Sequence, residues 1–280
     1  IVFLIQCEDR KGLVCGITSF FYEREFNIVH CQQHSDSQKN KYFMRIKLDM
    51  TGMKTTRQIL EEEFAKFAKN IDILWSVHYS DIIPKLALMV TKESHCLYDL
   101  ILRWKENDFC CEIPLILANH PDLEYVAEQF KIPFYCFPVE KGKEEEQETK
   151  VLALLKRHHI DLVVLAKYMR ILTPNFVANY RNKIINIHHA FLPAFQGSNP
   201  YRQAYERGVK MIGATAHYVT EQLDEGPIIE QDVERVNHES EPDDLRQIGK
   251  DIERIVLAKA VKAHLENRII VTGNRTVVFS

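Results

Sequence analysis

The chain has 280 residues, 46% of them apolar and 27% charged, with a formal net charge of −3. That length favours two domains, each able to bury a core, and the dispersed lysines and arginines exclude a surface built for nucleic acid. No apolar run reaches the length of a membrane span, and the seven cysteines form no C-x-x-C pair, which fits reduced, buried thiols in a cytoplasmic protein.

Ile1 to Ile5 is a β-rich apolar run that ends in the polar turn Glu8-Asp9-Arg10-Lys11-Gly12, and helical spacing follows from Leu13 to about Arg24. Phe26 to Ser35 and Lys41 to Asp49 read as a strand pair around the turn from Asp36 to Asn40. Ile59, Leu60, Phe64 and Phe67 recur at helical spacing within Thr56 to Lys69, and Ile71 to Tyr79 is a further strand. The predicted order is βαββαβ, a ferredoxin-like arrangement.

That order, with Asp9-Arg10-Lys11-Gly12-Leu13-Val14 at the first strand-to-helix turn, resembles the ACT domain, a small module that binds amino acids and pairs edge to edge. The resemblance implies an amino-acid effector near Asp9, Arg10, Gly12 and Leu13, held by free backbone N–H groups, and a homo-oligomer of at least two chains. The same turn also has a purely structural reading, in which Gly12 permits a tight turn and Asp9 caps the helix.

Ser80-Asp81-Ile82-Ile83-Pro84 reads as the junction, giving an ACT-like domain at 1–80, a linker at 81–84 and a larger domain at 85–280. Beyond it, strands at Leu86 to Val90, Ile113 to Ala118, Phe134 to Phe137 and Leu162 to Ala166 alternate with helices at Cys96 to Trp104 and Leu123 to Phe130 and, after the charged stretch Glu140 to Lys150, a helix to about His158. Such alternation predicts a Rossmann-like, mostly parallel α/β sheet with ligands at the carboxyl ends of its strands. Thr173-Pro174 reads as a helix start, and Ile184-Ile185 as a strand leading into Asn186 and His188. Pro200 to Arg207 is a short helix, Ile228 to Val236 a strand, Pro242 to Asn267 an amphipathic helix with Leu245, Ile248, Ile252, Ile255 and Val256 inward, and the end a hairpin around Gly273-Asn274.

Asn186, His188 and Asp224 supply an amide, an imidazole and a carboxylate at the ends of apolar segments, a trio suited to attack on a carbonyl. Taken singly, Asn186 reads as a strand-end turn residue and His189 as a surface neighbour. Adjacent histidines on a strand point to opposite faces, so His188 and His189 are not expected to share a metal ion, and no metal or cofactor is expected.

Asn186-x-His188, Leu192-Pro193 with the Gly197-Ser198 pair, Gly213-Ala214-Thr215-x-His217 and Asp224-x-Gly226-Pro227-Ile228-Ile229, together with the upstream Met169-Arg170-Ile171-Leu172, resemble the formyltransferase fold of enzymes that use 10-formyltetrahydrofolate. The match runs from about Pro84 to beyond Val233. Within that group, formyltetrahydrofolate deformylases place an ACT-like module first and end in a segment similar to Gly273-Asn274-Arg275-Thr276-Val277-Val278, so the chain most resembles that family.

The resemblance implies hydrolysis of 10-formyltetrahydrofolate to formate and tetrahydrofolate, supplying purine and one-carbon metabolism. It implies that Asn186 and His188 stabilise the developing oxyanion, Asp224 acts as general base, and His217 orders the site. Met169, Arg170, Ile171, Leu172, Thr220 and Leu223 match the family's pterin-binding positions. Two departures bear on the acceptor. Val90 to Cys96 has no glycine and carries Glu93, where the glycinamide enzyme cradles a phosphate on a glycine- and serine-rich turn; this favours water as acceptor. Ala190 stands where the transferases usually carry serine. Formyl transfer to a small amine such as glycinamide ribonucleotide, and a catalytically silent folate- or amino-acid-binding regulator, are the alternatives.

Overall fold

The computed structural model describes residues 1–51, 53–193 and 200–280 and divides into two compact units. The first comprises residues 1–82 with 267–270 and 277–280. Its elements are β1 (Val2–Glu8), α1 (Leu13–Tyr22), β2 (Ile28–Asp36), β3 (Lys41–Leu48), α2 (Arg57–Asn70) and β4 (Leu74–His78), with the antiparallel sheet ordered β2-β3-β1-β4. This is the βαββαβ order expected.

The unbroken apolar run of β1 has a simple cause: both of its faces are covered. Phe3, Ile5 and Cys7 join Ile17, Phe20 and Phe21 of α1 and Leu60 and Phe64 of α2 in one core. The alternate residues Val2 and Leu4 are buried with Phe43, Ile270 and Phe279. Residues 267–270 and 277–280, which the sequence reading assigns to the second domain, therefore group with the first unit. Thr56 lies outside α2 as its N-cap and accepts from the Ile59 N–H.

The second unit comprises residues 83–266 and 271–276. It contains β5 (Lys85–Val90), α3 (His95–Lys105), β6 (Glu112–Ala118), a 3₁₀ turn at Pro121–Leu123, α4 (Glu124–Phe130), β7 (Phe134–Cys136), α5 (Glu144–Arg157), β8 (Leu162–Leu165) and α6 (Pro174–Asn179). Then follow β9 (Ile184–His188), α7 (Pro200–Glu206), β10 (Met211–Tyr218), β11 (Ile228–Arg235) and α8 (Pro242–Leu265), and the chain closes with the hairpin β12 (Ile269–Thr272) and β13 (Arg275–Val278). Seven strands are ordered β11-β10-β9-β8-β5-β6-β7; β9 through β7 run parallel, and β10 and β11 antiparallel. The chain leaves β5 towards β6 and later returns to its other side as β8, so the topological switch lies between β5 and β8, where open α/β sheets bind ligands.

Two elements differ from expectation. The charged stretch largely belongs to α5, with Glu144, Glu145 and Glu146 in its first turn and Lys156 and Arg157 in its last, signs that match the helix dipole. On α8, Ile255 is exposed rather than inward, and the buried face instead carries Glu253. Among the described residues no helix is long and apolar enough to cross a membrane.

Candidate active site

Residues two apart on a strand share a face, so Asn186 and His188 project from the same side of β9. In the antiparallel register with β10, His217 stands opposite Asn186 and Thr215 opposite His188. His217 Nδ1 donates to the Tyr218 carbonyl at 2.9 Å, which leaves Nε2 of the neutral ring as an acceptor. The Asn186 amide donates to that Nε2 at 3.3 Å, and one amide hydrogen remains for another acceptor. Burial lowers the pKa of His217, with the Tyr218 carbonyl and Asp224 opposing, so this ring is the neutral one.

His188 is 6% exposed, and its Nδ1 lies 3.3 Å from Asp224 Oδ2. Its Nε2 is buried and meets no hydrogen-bonding group among the described residues. Asp224 Oδ1 lies 3.8 Å from His217 Nε2, too far for a hydrogen bond. Burial alone would raise the Asp224 carboxyl, but the hydrogen bond and charge of His188, with His217 and His189, outweigh it and bring the pKa below the usual value.

Asp224 adopts a left-handed backbone, φ 56°, which aspartate tolerates better than most residues. The loop that carries it closes against β10: the Tyr218 N–H donates to the Pro227 carbonyl at 2.9 Å. At Gly226 a Cβ would stand 1.7 Å from the Tyr218 carbonyl oxygen, so only glycine permits this approach.

The segment after β8 is pinned at both ends. The Met169 N–H donates to Thr91 Oγ1 at 2.9 Å, beyond the end of β5, while the buried Glu148 carboxylate accepts from the backbone N–H and hydroxyl of Thr173. Met169 and Ile171 are exposed, as is Arg170, an unusual state for large apolar side chains in a pinned loop. Leu172, by contrast, is buried in the core with Tyr168 and Phe176. Leu223 is exposed, and the Thr220 hydroxyl is engaged within its own loop, donating to the Gln222 carbonyl at 3.0 Å.

In the first unit, Gly12 is left-handed (φ 90°) and is itself the N-cap of α1, with no side-chain cap, so Asp9 does not cap the helix. Arg10 donates to the Ile71 carbonyl and Leu13 is buried in the core. Gly197 and Ser198 lie outside the described residues.

Several side chains in the second unit escaped the sequence reading. Thr215 Oγ1 donates to the Ala190 carbonyl at 2.8 Å and accepts from the Leu192 N–H at 3.0 Å, so the segment holding Ala190 is fastened by its neighbouring strand. His189 does not point away from His188: the rings stack with centroids 5.0 Å apart and planes at 15°. β9 ends at His188, so strand alternation no longer governs the next residue. Their nitrogens serve different partners, His188 Nδ1 facing Asp224 and His189 Nδ1 facing Lys167 Nζ at 3.3 Å. His95, Cys96 and Glu253 bring ligand-type atoms within 4.8 Å of one another, but the cation against Glu253 is the Lys167 ammonium at 3.2 Å.

Residues 84–261 match the family model described as formyl transferase, and residues 1–64 match the ACT domain model. A Synechocystis protein named formyltetrahydrofolate deformylase is 52% identical, the match covering 99% of this chain and 97% of that protein. A Bacillus subtilis protein of the same name is 46% identical over 99% of this chain and 93% of its own length. The crystal structure of a formyltetrahydrofolate deformylase from Pseudomonas syringae superposes with a TM-score of 0.97 at 41% identity, covering all of this chain and 94% of the other.

Proposed function

Because the chain belongs to the formyl transferase family, and within it to the formyltetrahydrofolate deformylases, we infer that it hydrolyses 10-formyltetrahydrofolate to formate and tetrahydrofolate. The observation that carries the chemistry is the pairing of His188 with Asp224 at 3.3 Å, behind a buried Nε2 that engages no protein group among the described residues.

In the reaction water attacks the formyl carbon, the carbonyl oxygen takes negative charge, and the bond from that carbon to N10 then breaks. Asp224, kept ionised, accepts the proton of the attacking water through Oδ1 or by relay. His188, cationic beside that carboxylate, offers the Nε2 proton to the oxyanion, and the second amide hydrogen of Asn186 joins it; each such donor is worth about 10²–10³ in rate. The proton gathered by Asp224 passes to N10, and formate leaves. His217 is the acceptor that orients the Asn186 amide. Exposed Met169, Ile171 and Leu223 provide apolar surface for the pterin, with Arg170 at the loop's rim and Leu172 supporting the loop from the core.

The test is formate release from 10-formyltetrahydrofolate in the absence of any amine. Equimolar formate and tetrahydrofolate are expected. Product appearing only with an added amine would move the reading to a transferase, and tight folate binding without turnover would move it to a regulator.

In the first unit, the uncapped start of α1 supports an amino-acid effector at Asp9, Arg10, Gly12 and Leu13, and the nine-residue strand β2 at the sheet edge supports pairing of two chains. The proposed setting is the cytoplasm, feeding formate to purine and one-carbon metabolism. Light scattering at micromolar concentration should give a dimer or larger, with glycine or methionine raising the melting temperature; a monomer indifferent to both would remove this part of the reading.

A further inference from the structure

Behind the proposed site lies a buried polar cluster to which no step above assigns a role. Lys167 follows β8 with a left-handed backbone, φ 65°, and its side chain is 5% exposed. Its ammonium stands 3.2 Å from Glu253 Oε2, 3.3 Å from Oε1 and 3.3 Å from His189 Nδ1. Glu253, on α8 and 1% exposed, also accepts from the Tyr201 hydroxyl at 2.7 Å and meets His95 Nε2 at 2.8 Å. One turn earlier on α8, a Cβ at Gly249 would stand 2.0 Å from the Tyr201 hydroxyl oxygen, so that glycine makes room for the tyrosine. So many elements converging on one carboxylate make a rigid clamp.

An ammonium group only donates. His189 Nδ1 in this contact is therefore the bare nitrogen, and the neutral ring carries its proton on Nε2. The same ring stacks on His188 at 5.0 Å, where two imidazolium cations would repel. We propose that Lys167, clamped by Glu253, is a positioning residue that holds His189 neutral in one tautomer, so that the proton of the stacked pair resides on His188, beside Asp224.

The charged and titratable groups around His189 agree with this. Burial brings its pKa down to about 4, Lys167 and His188 add to the fall, and Glu253 and Asp224 oppose it without reversing it. Tyr201 of α7 faces the ring at 6.2 Å and stays protonated, its phenol pushed up by burial and then by Glu253. Burial would also push Glu253 up, but the His95 hydrogen bond, the Lys167 charge and the Tyr201 hydrogen bond hold it well below the carboxylate range, so the clamp stays ionised.

This inference rests on the hydrolytic reading, but its first test does not. In uniformly ¹⁵N-labelled wild-type protein, with the His189 signals assigned by their loss in His189→Gln, the ring nitrogens should report the Nε2-protonated tautomer and no titration between about pH 5 and 8. A His189 that titrates near 6.5, or that carries its proton on Nδ1, overturns the proposal whatever the enzyme turns over. The second test is the double variant K167M/E253Q, which removes both charges at similar side-chain volume. There the Lys167 charge no longer lowers the His189 pKa, and burial, still the larger cause, keeps it below the ordinary value, so His189 protonates at a higher pH than in wild type and competes for the proton of the stacked pair. Relative to wild type, kcat should fall severalfold at about pH 5 and little at pH 8, with KM within about twofold. The profile is to be read with a 10-formyl folate bearing carbon in place of N5, which cannot cyclise in acid. A folded double variant with the wild-type profile and the wild-type His189 spectrum overturns the proposal; if that variant does not fold, the spectrum of the unmodified protein decides. Absence of formate from wild type would strike the hydrolytic reading alone.

Discussion

Replacing Asp224 with Asn should lower formate release by about 10²–10⁴-fold, the range for removing a general base, with little change in melting temperature. Asparagine is the informative substitution here. Position 224 is left-handed, φ 56°, and asparagine accepts that conformation as readily as aspartate, whereas alanine would add backbone strain to the loss of charge. The variant also replaces the carboxylate 3.3 Å from His188 Nδ1 with a neutral amide, whose oxygen still accepts but carries no charge, so the imidazolium loses its counter-charge and two contributions fall together. A residual rate within about tenfold of wild type would show that the base lies elsewhere.

The pH dependence of the wild type follows from the same carboxylate. Burial raises its pKa, and the hydrogen bond and charge of His188, then His217 and His189, lower it further than burial raises it. Protonated Asp224 is inactive as a base, so the acid limb should lie below the ordinary value of about 3.9 and activity should persist through mildly acid pH. Linkage has the same sign. Because the folded value is depressed, ionised Asp224 favours the folded state above its unfolded pKa, and that contribution is lost as pH falls through the folded pKa.

What was legible in the chain was local pattern and motif order. The turn at Gly12, the helix start at Thr173-Pro174 and the alternation of strands and helices after Pro84 are written in residues a few positions apart. Asn186, His188, His217 and Asp224 were legible because they stand in motifs that follow one another in a recognisable order; the pairing of β9 with β10 sets His217 opposite Asn186, and the loop after β10 carries Asp224 to His188. The clamp was not legible. Lys167 is a single lysine after an apolar strand, and its partner Glu253 lies 86 positions away on another element. A weak signal did exist on α8: Leu245, Gly249, Glu253 and Leu257 follow one another at four-residue spacing and all are buried, so a carboxylate stood on an apolar stripe. Ile255 was misplaced because apolar character was allowed to outrank that spacing. His189 was misplaced for a related reason, since the period-two rule was carried one residue past the end of the strand.

The glycine two residues beyond the proposed base should matter nearly as much as the base itself. In Gly226→Ala the new Cβ would begin 1.7 Å from the Tyr218 carbonyl oxygen and 2.9 Å from its carbon, far inside van der Waals contact, and 3.3 Å from His217 Nδ1. Neither backbone atom belongs to a flexible side chain. The Tyr218 N–H is itself engaged by the Pro227 carbonyl at 2.9 Å, so β10 cannot retreat without breaking the join to the loop. The loop must therefore move, and Asp224 moves with it, away from His188. A displacement of about 1 Å in a catalytic group costs about 10²-fold, so kcat should fall by at least that much with the carboxylate chemically intact. The clash lies at the last residue of β10, where the strand gives way to the loop, so the unfolding transition should remain cooperative and shift by a few degrees. Gly226→Ala and Asp224→Asn should also fail to add: once the loop has carried the carboxylate out of reach, removing it costs little more. A double variant whose loss equals the product of the single losses would mean that Gly226 acts on folding alone, and that the placement of Asp224 does not depend on it.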